Sequence, residues 1–207
     1  MGKIFDGIDA PLRAFIEAQR VFFVGTAPLS AAGHVNVSPK GLDTLRVLAP
    51  TTVAYLDHVG SGAETIAHLR ENKRIVIMIC AFGGSPRIVR LHGRGRVIEP
   101  HDDEYVRLRR LYPAGPPEGR SIIHVALDRV SDSCGYGVPL YTYDGERAQL
   151  ASWCARKGEE GLEAYQVDKN SESIDGLPAL RWTDHVEDEA PTESGPSSRR
   201  ARRRARE

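Results

Sequence analysis

Two short runs of this chain place polar side chains at every second residue. In His34–Lys40 the polar residues His34, Asn36, Ser38 and Lys40 alternate with Val35, Val37 and Pro39. In Ile88–Arg96 the residues Arg90, His92, Arg94 and Arg96 alternate with Val89, Leu91, Gly93 and Gly95. Strand side chains point to opposite faces with period two, so each run presents one polar face and one apolar or glycine face. An amide, a hydroxyl and an ammonium in one row (Asn36, Ser38, Lys40) can hydrogen-bond a heteroaromatic ring or neutralise a phosphate. A solvated sheet edge blunted by lysine and proline would carry the same residues. The arginine face, lying mid-strand, points to a ligand or a subunit contact. Between the runs, Gly60-Ser-Gly-Ala-Glu-Thr65 opens a helix behind two glycines. Such a start offers free backbone N–H groups to a phosphate, with the Ser61 and Thr65 hydroxyls beside them and Gly62 permitting close approach. Alternatively, Ser61 and Glu64 cap each other's backbone. Two polar sheet faces and a helix start are the ingredients of an anion site.

Other chemistries find no support. The seven histidines are scattered, with no zinc spacing, no His-Glu-x-x-His, no nucleophile elbow and no Walker loop. Hydrolase and kinase readings therefore have no motif, no residue stands out as a general acid or base, and no metal site is expected. Cys80, Cys134 and Cys154 form no CxxC pair, so reduced thiols are expected. A formal net charge of +0 gives no global field for nucleic acid or an anionic membrane. No apolar run approaches the roughly 20 residues of a membrane span. The expected location is cytoplasmic.

The elements that must position these groups read as mainly β. A helix begins near Pro11 behind the N-cap candidate Asp9. Strands are expected over 20–27, 34–38, 45–49, 52–56, 74–82, 87–98 and 121–130, with helices over 61–72 and 101–112. Beyond the glycine-rich segment 133–139, weaker helical stretches cover 145–157 and 159–169. Residues 1–183 form the expected domain, with a helical extension from about 140. Residues 184–207, acidic and then arginine-rich, have the composition of a disordered tail. A nucleic-acid role for the arginines is disfavoured against a solvated tail.

The middle of the chain, from about Val21 to Val130, resembles the pyridoxamine 5′-phosphate oxidase-like flavin-binding split barrels. Lys40-Gly41 resembles the lysine closing that family's first flavin-contacting strand. Tyr55-Leu-Asp-His-Val-Gly-Ser61 resembles its aromatic–Thr–Asn…Ser segment, and Arg87-Ile-Val-Arg-Leu-His-Gly93 its later arginine strand. The resemblance implies a six-stranded antiparallel split barrel with flanking helices, a homodimer, FMN at the dimer interface, and hydride transfer to or from a small organic substrate. By matching position, Lys40, Ser61 and Arg90 would lie near the flavin or its phosphate. Thr65 joins that set, and Asn36 and Ser38 would face the ring or ribityl hydroxyls. The sequence departs from the oxidase where Gly62-Ala63 replaces Arg-Lys and Ile88 replaces Gln. The C-terminal substrate motif is also absent around 177–181, so vitamin B6 oxidation is not expected. Related barrels hold deazaflavin F420, for which Arg94 or Arg96 could serve. Others hold haem, for which His34, His92 or His124 would be the candidate ligands.

Overall fold

A computed structural model describes residues 2–117 and 119–182; the arginine-rich tail lies outside the described residues. Their centre is one antiparallel sheet. β1 spans Ile4–Phe5, β2 Phe22–Thr26, β3 Asn36–Lys40, β4 Leu45–Ala49, β5 Thr52–His58, β6 Arg74–Cys80, β7 Ile88–Ile98 and β8 Gly119–Ser133. Four helices flank it: α1 (Ala10–Ala18), α2 (Glu64–Asn72), α3 (Tyr105–Arg109) and α4 (Gln149–Asn170). The sheet runs β3-β2-β6-β7-β8-β5-β4, with β1 added along β8. The sheet is the mainly β, antiparallel split barrel with flanking helices that the sequence implies, with eight strands rather than six. β3 and β4 end the hydrogen-bonded path and do not pair with each other.

The register explains the core. Val24 faces Ile77, Ile77 faces Leu91 and Leu91 faces Val130 across four successive strands. All four are buried, and Ser38 continues the row on β3. One residue along, Pro39, Phe23, Met78, Arg90 and Ser131 make the corresponding row on the outer face. Helix α2 covers the inner face, burying Ile66, Ala67 and Leu69. A Cβ on Gly95 would collide with Leu69, which explains a glycine there. The glycine at 93 answers a different need. β7 and β8 slip register between His92 and Gly93, and a Cβ there would strike the Ala126 carbonyl.

Two helix boundaries differ from expectation. Asp9 caps α1 as anticipated, accepting the Leu12 N–H at 2.9 Å. Helix α2 starts at Glu64, with Ala63 as its N-cap and no side-chain cap, so the Ser61–Glu64 capping box does not form. The expected helix over 101–112 shrinks to α3. The Asp102 carboxylate instead accepts the Glu99 N–H at 2.8 Å and two bonds from Arg181 at 2.9 Å, shaping a turn. The two helical stretches expected beyond residue 145 are both present as the two halves of α4, separated by a break at Gly158 (φ 67°, ψ 177°), with the first starting at Gln149. After α4 the chain returns to the body, burying Ala179 and Leu180 in the main core.

Gly93→Ala is expected to destabilise the fold by about 1–3 kcal/mol, the usual cost of forcing atoms into a packed position. The midpoint of urea denaturation checks it, with Gly83→Ala, where a Cβ meets nothing within 4 Å, as the control.

Candidate functional site

The alternating pattern of β3 is inverted relative to ordinary burial. Val37, and Val35 just before the strand, face solvent at 65 % and 73 % exposed, while Asn36, Ser38 and Lys40 are half-buried. The reason is local: α2 begins opposite this row and offers hydroxyl partners. Asn36 Nδ2 donates to Thr65 Oγ1 at 3.0 Å and to Thr26 Oγ1 at 3.3 Å, and the Ser38 hydroxyl donates to Asn36 Oδ1 at 3.0 Å. Thr26 Oγ1 lies 3.0 Å from Nδ1 of His68, a fully buried ring on α2. Burial lowers the His68 pKa and so favours the neutral ring.

At the end of the same row, Lys40 Nζ donates to Asp57 Oδ1 at 2.7 Å. Asp57 Oδ2 accepts from Arg120 Nε at 2.9 Å. Asp57 is fully buried and Arg120 nearly so. Burial by itself would raise the Asp57 carboxyl. The neighbouring Arg120 and Lys40 charges and their hydrogen bonds overcome that, holding it well below the usual carboxylate range. Arg120 also donates to the Gly60 carbonyl at 3.2 Å, and Asn170 Nδ2 donates to the same oxygen at 2.8 Å. The loop before α2 is thereby tied to β8 and to the end of α4.

These groups border a cavity of about 330 Å³, within the size range of small-molecule sites. Ser38, Lys40, Gly62, Thr65 and Arg120 supply polar lining; Pro39, Leu42, Leu56, Val59 and Leu150 supply apolar lining. His58 and Glu64 also reach it. Of the residues singled out from sequence, Ser38, Lys40, Gly62 and Thr65 line the cavity, and Asn36 braces it through Thr65. Ser61 lies between two lining glycines with its own residue exposed. Arg90 is elsewhere. Its one-residue offset from the Ser38 row puts it on the outer face, where it donates to Ser133 Oγ at 3.0 Å. Arg90 and the β3 row therefore face opposite sides of the sheet; the β3 row meets the start of α2, whereas Arg94 of the other run reaches only its end, donating to the Asn72 carbonyl at 3.2 Å. Among the described residues, none of His34, His92 and His124 lines this cavity; His34 Nδ1 pairs with Asp175 at 2.6 Å. Arg96 pairs with Glu104 at 2.9 Å.

Sequence reasoning left Asp57 and Arg120 out of the site. Asp57 had a signal, a lone carboxylate in the apolar run Val53–Leu56, where an unpaired charge would be costly. Arg120 had none, because its partner is 63 residues away.

Residues 8–134 match the family model for pyridoxamine 5′-phosphate oxidase. A relative from Aspergillus flavus, the pyridoxamine 5′-phosphate oxidase family protein ustO, is 40% identical over 198 residues, covering 87% of this chain and 78% of its own. This chain belongs to the pyridoxamine 5′-phosphate oxidase family. Among solved structures, a variant of HupZ from Group A Streptococcus superposes with a TM-score of 0.50 at 18% identity, covering 61% of this chain and 99% of that one. At that identity the likeness concerns the fold alone. The cavity lies where Lys40 of β3 meets Asp57 of β5, two strands that do not pair with each other. No helix among the described residues is long and apolar enough to cross a membrane.

Asp57→Asn is expected to cost about 3–5 kcal/mol at neutral pH, because it breaks a buried ion pair and leaves its cations uncompensated. The folded-state carboxyl is depressed, so its contribution is complete above the unfolded value of about 4. It is lost as pH falls from there through the folded value. The stability gap between wild type and Asp57→Asn should accordingly narrow from pH 5 towards pH 2, which denaturant titrations at stepped pH would record.

Proposed function

We propose that this protein is a flavin-binding member of its family, an oxidoreductase that holds the ligand ring in the cavity between β3, β5 and α2. The observation that carries this reading is the inward polar row of β3 set against apolar residues across a cavity of about 330 Å³. Leu42, Leu56, Val59 and Leu150 suit the faces and methyl edge of a flat heteroaromatic. Ser38, Thr65 and the Lys40 ammonium suit its carbonyl and nitrogen edge, or the hydroxyls of a ribityl chain. Gly62 permits close approach, and Asn36 holds Thr65 and Ser38 in place. A bound flavin would supply the capacity to accept and return a hydride; the residues around it would orient the ring and tune its charge. Arg90 has no part in this cavity, although a contact from its outer face to a second subunit is compatible with its placement.

The fit is good for the ring and poor for a doubly charged phosphate such as the terminal group of FMN. Both lining cations serve Asp57, and the Glu64 carboxylate lies over Gly62 at the helix start. The same count argues against the longer acidic tail of F420. Haem is disfavoured because the three candidate histidines lie outside the cavity lining.

The test is an absorbance spectrum of the protein as purified, and again after incubation with riboflavin or FMN and desalting. Retained flavin bands are expected, together with at least a tenfold weaker affinity in Ser38→Tyr, which fills the cavity. A Soret band, or no flavin retention at all, would overturn the reading.

The protein is also proposed to act as a homodimer. The exposed Val37 and Pro39 of β3, with Val35 just before it, make an apolar outer edge that a second copy could cover. Light scattering should give twice the chain mass in wild type and a shift towards the monomer in Val35→Lys/Val37→Lys. A monomeric wild type would refute it.

A further inference from the structure

The charges around the cavity are balanced before any ligand arrives. Lys40 and Arg120 converge on Asp57 at 2.7 and 2.9 Å. Their geometry is fixed from behind: Arg120 and Asn170 both bind the Gly60 carbonyl, and Lys40 stands 6.0 Å from the centre of the Tyr55 ring. On the opposite lip, α2 begins without a side-chain cap, and the uncapped first turn would be the natural place for an anion. The chain fills that place itself. The Glu64 carboxylate folds back against the Gly62 α-carbon, so that a Cβ on Gly62 would collide with it. The other Glu64 oxygen faces the Ile174 N–H at 3.4 Å. Two cations and two carboxylates thus leave no net positive charge at the cavity, and one of the carboxylates occupies the helix start.

We infer that this cavity selects a flavin-class ligand lacking a doubly charged phosphate, with Asp57 and Glu64 in the places that the ligand's own charge would otherwise take. The inference rests on the flavin reading above and names the charge class of its ligand. A riboflavin-like ring and polyol meet the polar row without placing a dianion against Glu64. FMN, whose ring is the same, must either displace the Glu64 side chain or leave its phosphate in solvent. Glu64 acts here as a specificity residue; it is half-buried and bonds no core group, so its replacement by glutamine should preserve the fold.

The experiment compares riboflavin and FMN by fluorescence quenching on wild type and Glu64→Gln. In parallel, thermal midpoints are taken with inorganic phosphate against chloride at matched ionic strength. Wild type is expected to bind riboflavin within threefold of FMN or more tightly, and to show no phosphate-dependent shift. Glu64→Gln should tighten FMN at least threefold while riboflavin stays unchanged, and should acquire a phosphate-dependent rise in midpoint. The inference is overturned if wild type binds FMN tenfold or more tightly than riboflavin. It is equally overturned if phosphate raises the wild-type midpoint, or if Glu64→Gln gains neither FMN affinity nor phosphate response. Should neither flavin bind, the flavin reading falls and the phosphate arm decides alone. A gain confined to Glu64→Gln then upholds the charge balance around the cavity, and a response already present in wild type refutes it.

Discussion

The buried carboxylate of Asp57 is the point on which this molecule turns. The hydrogen-bonded path of the sheet starts at β3 and ends at β5 and β4, leaving a gap that no backbone ladder crosses. Lys40 from β3 meets Asp57 of β5 across that gap, while Arg120 from β8, the strand paired with β5, holds the other carboxylate oxygen from the same side. A barrel would ordinarily close through strand pairing; here the Lys40–Asp57 ion pair joins the two sides, helped by the edge-to-face contact of Phe22 with Tyr55 at 5.5 Å. Removing a carboxylate from water is expensive, and only two cations at hydrogen-bond distance make it tolerable. The same arrangement that closes the fold also fixes the polar end of the cavity.

That double duty links architecture to recognition. Because side chains alternate along β3, sending Lys40 inwards to Asp57 also sends Ser38 and Asn36 inwards, and turns Val35 and Val37 to solvent. Asn36 then needs partners, which Thr26 and Thr65 provide. The polar wall of the cavity follows from one register choice rather than from separate accommodations. A shift of one residue would carry the valines into the core and expose the amide and the lysine.

Much of this was legible from residues alone. The strands of the middle region, the cap at Asp9 and the break in α4 followed from periodicity, capping chemistry and glycine. Ser38, Lys40, Gly62 and Thr65 were identified as candidates, and they meet at the cavity. What the sequence could not reveal was which way each polar face turns. The faces containing Asn36 and Arg90 look equivalent as strings, but register sets them on opposite sides of the sheet. The capping box was misleading because Ser61 and Glu64 have the right spacing, whereas the helix begins at Glu64 and its carboxylate turns towards Gly62. Asp57 and Arg120 lie far apart in the chain, and long-range ion pairs leave no local pattern.

The return of the chain after α4 has a consequence for the order in which the molecule can be assembled. Leu180 and Ala179 complete the main core, Asn170 holds the Gly60 carbonyl, and Asp175 pairs with His34 across 141 residues of sequence. Contacts of such long range delay folding, because the loops they close must be ordered before the contacts repay that cost. On the ribosome, the sheet can be completed once β8 has emerged, whereas the loop beside the cavity must wait for the chain to reach Asn170 and beyond. The wall of the cavity is thus among the last parts of the nascent protein to take shape.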